Sequence, residues 1–156
     1  MTILTPQPPG IPLPTPSTVT QPYWDGCRQS ELRYQECRRC GAHPLRPVPQ
    51  CPNCAGEVLW CRSKGRANLY SWTVVWRTAM PEFQIPYVPA IVLLEEGAYL
   101  MSAIVGCEPS DLATGMPLTV VFESYGDVIL PYFDGATRED AWPAAQTVSR
   151  DSLVKG

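Results

Sequence analysis

The sequence predicts a mainly β protein: an N-terminal short helix, a rubredoxin-like zinc ribbon, then a five-stranded OB-fold barrel. Three observations lead there. Four of the seven cysteines stand as two Cys-x-x-Cys pairs within residues 37–54. From residue 65 onward the apolar residues recur with a period of two, the period of a strand and not of a helix. The segments with that period are parted by short turn signals and by one helical-looking interruption. With 156 residues, 45% of them hydrophobic, the chain can bury a core.

Residues 1–21 read as a disordered, Pro-rich or polyproline-like arm. Residues 1–22 hold seven prolines and no charged side chain, which suits neither a helix nor a sheet interior. The start lacks a basic stretch and a continuous apolar run, so it does not read as a secretion signal. The longest apolar run, Ala90 to Leu94, is far below the roughly 18 residues of a membrane span. A cytoplasmic chain with reduced thiols is the expectation, and an odd cysteine count forbids full internal pairing.

Residues 22–63 read as the N-terminal helix and the ribbon. "PYWDGCRQSELRYQEC" opens on Pro22 and suits a helix from Tyr23 to about Gln29, with Tyr23 and Trp24 as an apolar handle. Leu32 and Tyr34 then alternate into a strand that leads to Cys37, and "EVLWCRS" after Cys54 reads as its partner.

Residues 64–136 read as the barrel. "GRANLYSWTVVWRT" is one long strand, with Leu69, Ser71, Thr73 and Val75 on one face and Tyr70, Trp72, Val74 and Trp76 on the other. "YVPAIVLL" and "AYLMSAIVG" form a hairpin around Gly97. "EPSDLATG" suits one helical turn capped by Ser110 and stopped by Gly115. "MPLTVVFESYGDVILPYF" supplies two more strands around Tyr125-Gly126-Asp127. Five strands with a helical piece between the third and fourth is the order of an OB barrel, and periodicity alone leaves a sandwich or an SH3-like barrel open. Residues 137–156, anchored by Trp142 alone, read as a flexible C-terminal tail.

Cys37, Cys40, Cys51 and Cys54 carry the clearest chemistry. Two knuckles ten residues apart can bring four thiolates to the corners of a tetrahedron about a metal, with Zn–S near roughly 2.3 Å. Gly41 can turn the backbone toward the sulfurs, and Pro52 stiffens the second knuckle. Iron suits the same donors, but the short Pro-rich loop between the knuckles favours zinc. Four protein thiolates leave no position for water, so the expected ion is structural and supplies stability that so small a module lacks.

No catalytic set accompanies it. Cys27, Cys61 and Cys107 read as small buried hydrophobes. His43, the only histidine, sits beside the first knuckle and would have to serve any Ser/His/Asp or Cys/His set. Glu95 and Glu96 are neighbours that point to opposite faces of a strand. No glycine-rich phosphate loop is present.

Charge is divided unevenly. Residues 27–66 carry eight basic and three acidic side chains, residues 67–156 four basic and eleven acidic. The basic ribbon could meet phosphates, or offset the charge of about −2 on a tetrathiolate zinc. Single-stranded nucleic-acid binding is the alternative function; it needs a positive groove on the barrel, and the barrel is acidic. A rubredoxin-like electron carrier is a third reading that a colourless protein would dismiss.

The segments "YWDGCRQSELRYQECRRCG", "CPNC", "SKGRANLYSWTVVWR", "PYVPAIVLLEEGAYLMSAIVG", "DLATGMPLTVVFE" and "ILPYF", in that order over about residues 22–135, carry a resemblance. The chain resembles the acyl-CoA-associated zinc-ribbon/OB-fold family, long catalogued as a domain of unknown function. The resemblance implies a small noncatalytic partner of a thiolase-superfamily enzyme, such as a lipid-transfer-protein-like thiolase, an aldolase of steroid side-chain breakdown or an acyltransferase. It implies that the chain supports that enzyme and helps accommodate acyl-CoA. It also implies Cys37, Cys40, Cys51 and Cys54 as the Zn²⁺ ligands, and Tyr23 and Trp24 as the aromatic helix. Arg46, Arg66 and Trp72 join them as candidates for acyl-CoA or partner contact, although Trp72 and Trp76 equally suit a barrel core. The chain departs from the family pattern in its "CAG" second knuckle, its proline arm and its tail after Ala136.

Overall fold

The structure is a computed structural model that describes residues 2–136. The expected C-terminal tail therefore lies outside the described residues. No helix among them is long and apolar enough to cross a membrane.

Helix α1 spans Gln21–Arg28, with Pro22 in its first turn and Arg28 in its last. A Ser17–Thr20 turn, closed by the Ser17 N–H donating to Thr20 Oγ1 at 2.8 Å, leads into it. Ser30 takes a positive φ of 56° and ends the helical path. Gly26 lets α1 lie against the next strand: a Cβ there would stand 2.8 Å from Arg33 Cδ and Glu31 O.

Strands β1 (Arg33–Cys37) and β2 (Val58–Arg62) form an antiparallel ribbon, Cys37 opposite Val58. The loop between the knuckles is held by Gln35, a buried side chain whose Nε2 donates to Val48 O (3.0 Å) and whose Oε1 accepts from Val48 N–H (2.9 Å). A buried amide satisfied at both ends is a firm clamp.

Strands β3 (Arg66–Trp72), β4 (Pro89–Leu94), β5 (Tyr99–Val105), β6 (Pro117–Tyr125) and β7 (Val128–Asp134) close into a barrel in the order β3-β4-β5-β7-β6. The third and fifth barrel strands, β5 and β7, run parallel and pair only at Ile104–Phe133 and Val105–Asp134. The expected five-stranded OB barrel is thus observed. Its core holds Leu69, Val92, Leu94, Ile104, Leu118 and Phe133, and β4 shows the expected alternation, with Ala90, Val92 and Leu94 inward.

Three expectations need correction. The first barrel strand is shorter and not strictly alternating. Leu69 pairs with Val92 but Ser71 with Ile91, so Tyr70 is an extra residue, a β-bulge. The bulge reverses the faces after it: Trp72, opposite inward-facing Ala90, packs on the core with Val74, while Tyr70 and Trp76 are exposed. The strand ends at Trp72, and only a Val75–Tyr87 bridge continues it.

The helical piece after β5 is a 3-10 turn, Pro109–Asp111, capped by Glu108 and not by Ser110. The Glu108 N–H donates to Asp111 Oδ2 at 3.0 Å, and the Glu108 side chain returns the bond.

The proline arm has no regular secondary structure, as its prolines require, but it is not a free strand. Leu4 is 2% exposed and joins the barrel core. Its N–H donates to Cys107 O (2.8 Å) and its carbonyl accepts from Gly106 (2.9 Å). Farther on, the Gln7 N–H donates to Tyr132 Oη (3.3 Å), and the Tyr125 hydroxyl donates to Gln7 O (2.7 Å). The two phenols share a 2.7 Å bond between them, which closes a ring. Ile11 is buried against Tyr125 and Tyr132. Two apolar anchors and four hydrogen bonds to the arm's backbone, three of them at 2.7–2.9 Å, offset the ordering entropy that composition alone suggested would win.

Candidate metal centre and adjoining cleft

The two knuckles share one backbone design. In the first, the Gly41 N–H donates to Cys37 O (2.9 Å) and Cys37 N–H to Ala42 O (2.8 Å). In the second, the Ala55 N–H donates to Cys51 O (2.9 Å) and Cys51 N–H to Gly56 O (3.0 Å). The turn needs a left-handed residue after its second cysteine: Gly41 has φ 70°, and Ala55 adopts φ 57° in the equivalent place. The departure seen in "CAG" therefore leaves the geometry intact, with an alanine holding a conformation that glycine takes more easily. Gly56 is small for a different reason: a Cβ there would lie 3.1 Å from both Cys37 Sγ and Cys54 Sγ.

These turns bring the four sulfurs within 4.8 Å of one another, with Cys37–Cys54 at 3.5 Å and Cys40–Cys51 at 3.7 Å. A tetrahedral site with Zn–S near 2.3 Å has sulfurs about 3.8 Å apart, so the donor set fits a four-coordinate ion. Electrostatics agree. The backbone N–H of Cys40, then that of Arg39, lowers the Cys37 thiol to about 6. At Cys40 the Ala42 N–H pulls downward, but proton sharing with Cys54, Cys37 and Cys51 pushes the thiol up to about 12. Four thiols this close cannot all ionise without a cation among them.

The remaining cysteines have a different character. Cys27 is fully buried, and burial raises its thiol to about 12; Cys107 is raised to about 11, by burial first and then by Asp111 and Asp134. Both behave as core residues, whereas Cys61, on the two-stranded ribbon, is half-buried and not buried as expected; burial first, then Glu36, raises its thiol. His43 Nδ1 lies 3.2 Å from Gln35 O and the ring meets Tyr34 edge-on, so the histidine braces the ribbon loop.

Beside the ribbon an open cleft of about 230 Å³ runs between α1, the knuckle loop and strand β5. It brings together three of the predicted contact residues, Tyr23, Trp24 and Arg46, with Trp60, Tyr99 and Met101. Tyr23 and Trp24 meet edge to face at 4.9 Å. A second apolar cleft, about 310 Å³, continues past Trp24 and Met101 under the arm. Arg66 and Trp72 are elsewhere. Arg66 Nη2 donates to Glu95 Oε1 at 3.0 Å and its Nε ion-pairs with Oε2 at 2.7 Å; burial would raise that carboxyl, but Arg66 and Lys64 hold it below its ordinary value. Trp72 packs on the core.

Sequence reasoning missed Trp60, Tyr99 and Met101. A signal existed in "AYLMSAIVG": Tyr99 and Met101 take the outward phase of β5, where a solvated sheet face carries polar residues. Met101 is 61% exposed and Tyr99 38%, and with Leu45 and Tyr70 they make an exposed apolar surface.

Residues 60–123 match the family model described as the ChsH2 C-terminal OB-fold domain. The chain is 37% identical over 97 residues to a DUF35 domain-containing scaffold protein of Methanothermobacter thermautotrophicus, covering 58% of this chain and 71% of that one. It is 31% identical over 121 residues to a probable enoyl-CoA hydratase alpha subunit of Thermomonospora curvata; that match covers 76% of this chain but only 38% of the relative's length. Among solved structures, one described as an Ltp2–ChsH2(DUF35) aldolase superposes with a TM-score of 0.72 at 28% identity, over 80% of this chain and 100% of that chain.

Proposed function

Because the chain belongs to the DUF35 family, we propose that it is the noncatalytic small subunit of a thiolase-like acyl-CoA enzyme, and that its four cysteines hold a structural zinc ion. The observation that carries the reading is the superposition on the full length of one chain of an Ltp2–ChsH2(DUF35) aldolase. The acyl-CoA class is supported by the likeness to an enoyl-CoA hydratase alpha subunit, and a steroid side chain by a 31% identity over 116 residues to a 3-oxo-4,17-pregnadiene-20-carboxyl-CoA hydratase alpha subunit of Mycobacterium tuberculosis.

The residues support a supporting role. The thiols of Cys27, Cys61 and Cys107 are all raised, by burial first, which makes them poor nucleophiles, and His43 is committed to the Gln35 carbonyl. The zinc would be held by Cys37, Cys40, Cys51 and Cys54, would carry no open position and would contribute folding energy to the ribbon. Tyr23, Trp24 and Arg46 would then serve partner or acyl-CoA contact at the cleft. Arg66 and Trp72, committed to Glu95 and to the core, are left out of that role.

The test is purification of the tagged chain from its own organism with whatever remains bound, followed by zinc analysis and acyl-CoA cleavage or condensation assays. A stoichiometric thiolase-like subunit, about one zinc per chain and partner activity that falls when this chain is removed are expected. A partner equally active and stable without the chain would defeat the reading.

A further inference from the structure

Strand β5 has a bare edge. Ile104 donates its N–H to Val88, and Ala98 accepts from Leu94, so the even-numbered residues of β5 bond to β4. By the alternation of an antiparallel ladder, the N–H and C=O groups of Tyr99 and Met101 point the other way. There β7 pairs only from Ile104 onward, and among the described residues no strand lies alongside Tyr99 to Met101. What lies alongside is the cleft, walled by α1 and the knuckle loop.

We propose that an extended, apolar segment of the partner subunit, carrying an acidic residue, adds as a strand to the edge of β5 at Tyr99 and Met101 within this cleft. The proposal rests on the subunit reading above and specifies its docking. Three features select this occupant. The edge offers two donors and two acceptors to a backbone and to nothing that lacks one. The walls are apolar and aromatic, suited to alternate side chains of a strand. The lining includes two arginines and no carboxylate; Arg33 is paired with Glu31, while Arg46 has no ion-pair partner among the described residues. A carboxylate on the incoming segment would answer it.

Amide hydrogen exchange read by mass spectrometry tests this, on the full chain alone and in the purified complex, with fragments that resolve residues 99–101. The amides of Tyr99 and Met101 should exchange freely in the isolated chain and slow by about 100-fold or more in the complex. Met101→Pro removes only an outward N–H, which an edge strand tolerates, so its melting temperature should hold while partner affinity falls by at least about tenfold. Arg46→Glu should weaken binding as well. A complex in which both amides exchange as in the free chain overturns strand addition and leaves the subunit reading intact. So does normal binding by Met101→Pro. Should that variant fold poorly, the wild-type exchange pattern decides alone. If octanoyl-CoA slows these amides in the isolated chain and the partner does not, the cleft belongs to an acyl chain and the proposal fails. If the wild-type chain forms no stoichiometric complex at all, both readings fall.

Discussion

Leu4→Ala asks whether the proline arm is part of the fold. Leu4 is 2% exposed and sits in the barrel core with Leu32, Ile104 and Phe133. The substitution removes three carbons, about 2.4 kcal/mol at ~0.8 kcal/mol per buried methylene. The cavity left behind raises the cost to about 3–4 kcal/mol, since the two backbone bonds to Gly106 and Cys107 keep the site from collapsing. At about 2–4 °C per kcal/mol for a domain of this size, the melting temperature should fall by roughly 6–15 °C. The assay is urea unfolding followed by tryptophan fluorescence on zinc-loaded protein. Leu13→Ala, on the same arm but 38% exposed, is the control and should stay within about 0.5 kcal/mol of wild type. Equal urea midpoints for the two variants would show that the arm is not pinned by Leu4 and would refute the reasoning.

Other outcomes follow from the same geometry. Ala55→Gly should stabilise the metal-loaded ribbon by about 0.5–1 kcal/mol by relieving the left-handed backbone, and Gly41→Ala should cost about 1 kcal/mol; zinc-dependent thermal unfolding checks both. A thiol-competing chelator, or Cys51→Ser, should make residues 33–62 protease-sensitive while the barrel, whose core is separate from the sulfurs, keeps its circular dichroism; loss of both together would contradict the division. The Tyr125 hydroxyl is raised above its ordinary value, by burial first and then by its bond to Tyr132. The neutral form is favoured in the folded state. Its stabilisation is therefore complete below the unfolded value near 10 and lost as pH rises above it. Urea midpoints measured from pH 8 to 11 should fall above about pH 10, and less steeply in Tyr125→Phe.

The four-cysteine cluster was legible because its determinants are local. Each knuckle is a short turn whose two cysteines and following left-handed residue are contiguous, and β1 and β2 bring two such turns together in register. Strand positions were legible for a similar reason: burial on alternate residues of β4 writes a period of two into "AIVLL". The bulge at Tyr70 was not, since it is a relation between β3 and β4 and leaves no mark in the composition of β3. That one extra residue lets Trp72 share the core with Leu69, from which strict alternation would part it, while Trp76, which also suited a core, stays exposed.

The likeness to known subunits was carried by aromatic and cysteine motifs readable without coordinates. The sequence by itself determined the sulfur donor set and the five barrel strands, each of which depends on residue type and short-range spacing. Only the tertiary structure decided that the arm is strapped to the barrel through Leu4 and Gln7, that Arg66 is consumed by Glu95, and that Arg46 faces a cleft along an unpaired strand edge. Those facts join residues as far as 125 positions apart in the chain, and no local pattern encodes a contact made at that distance.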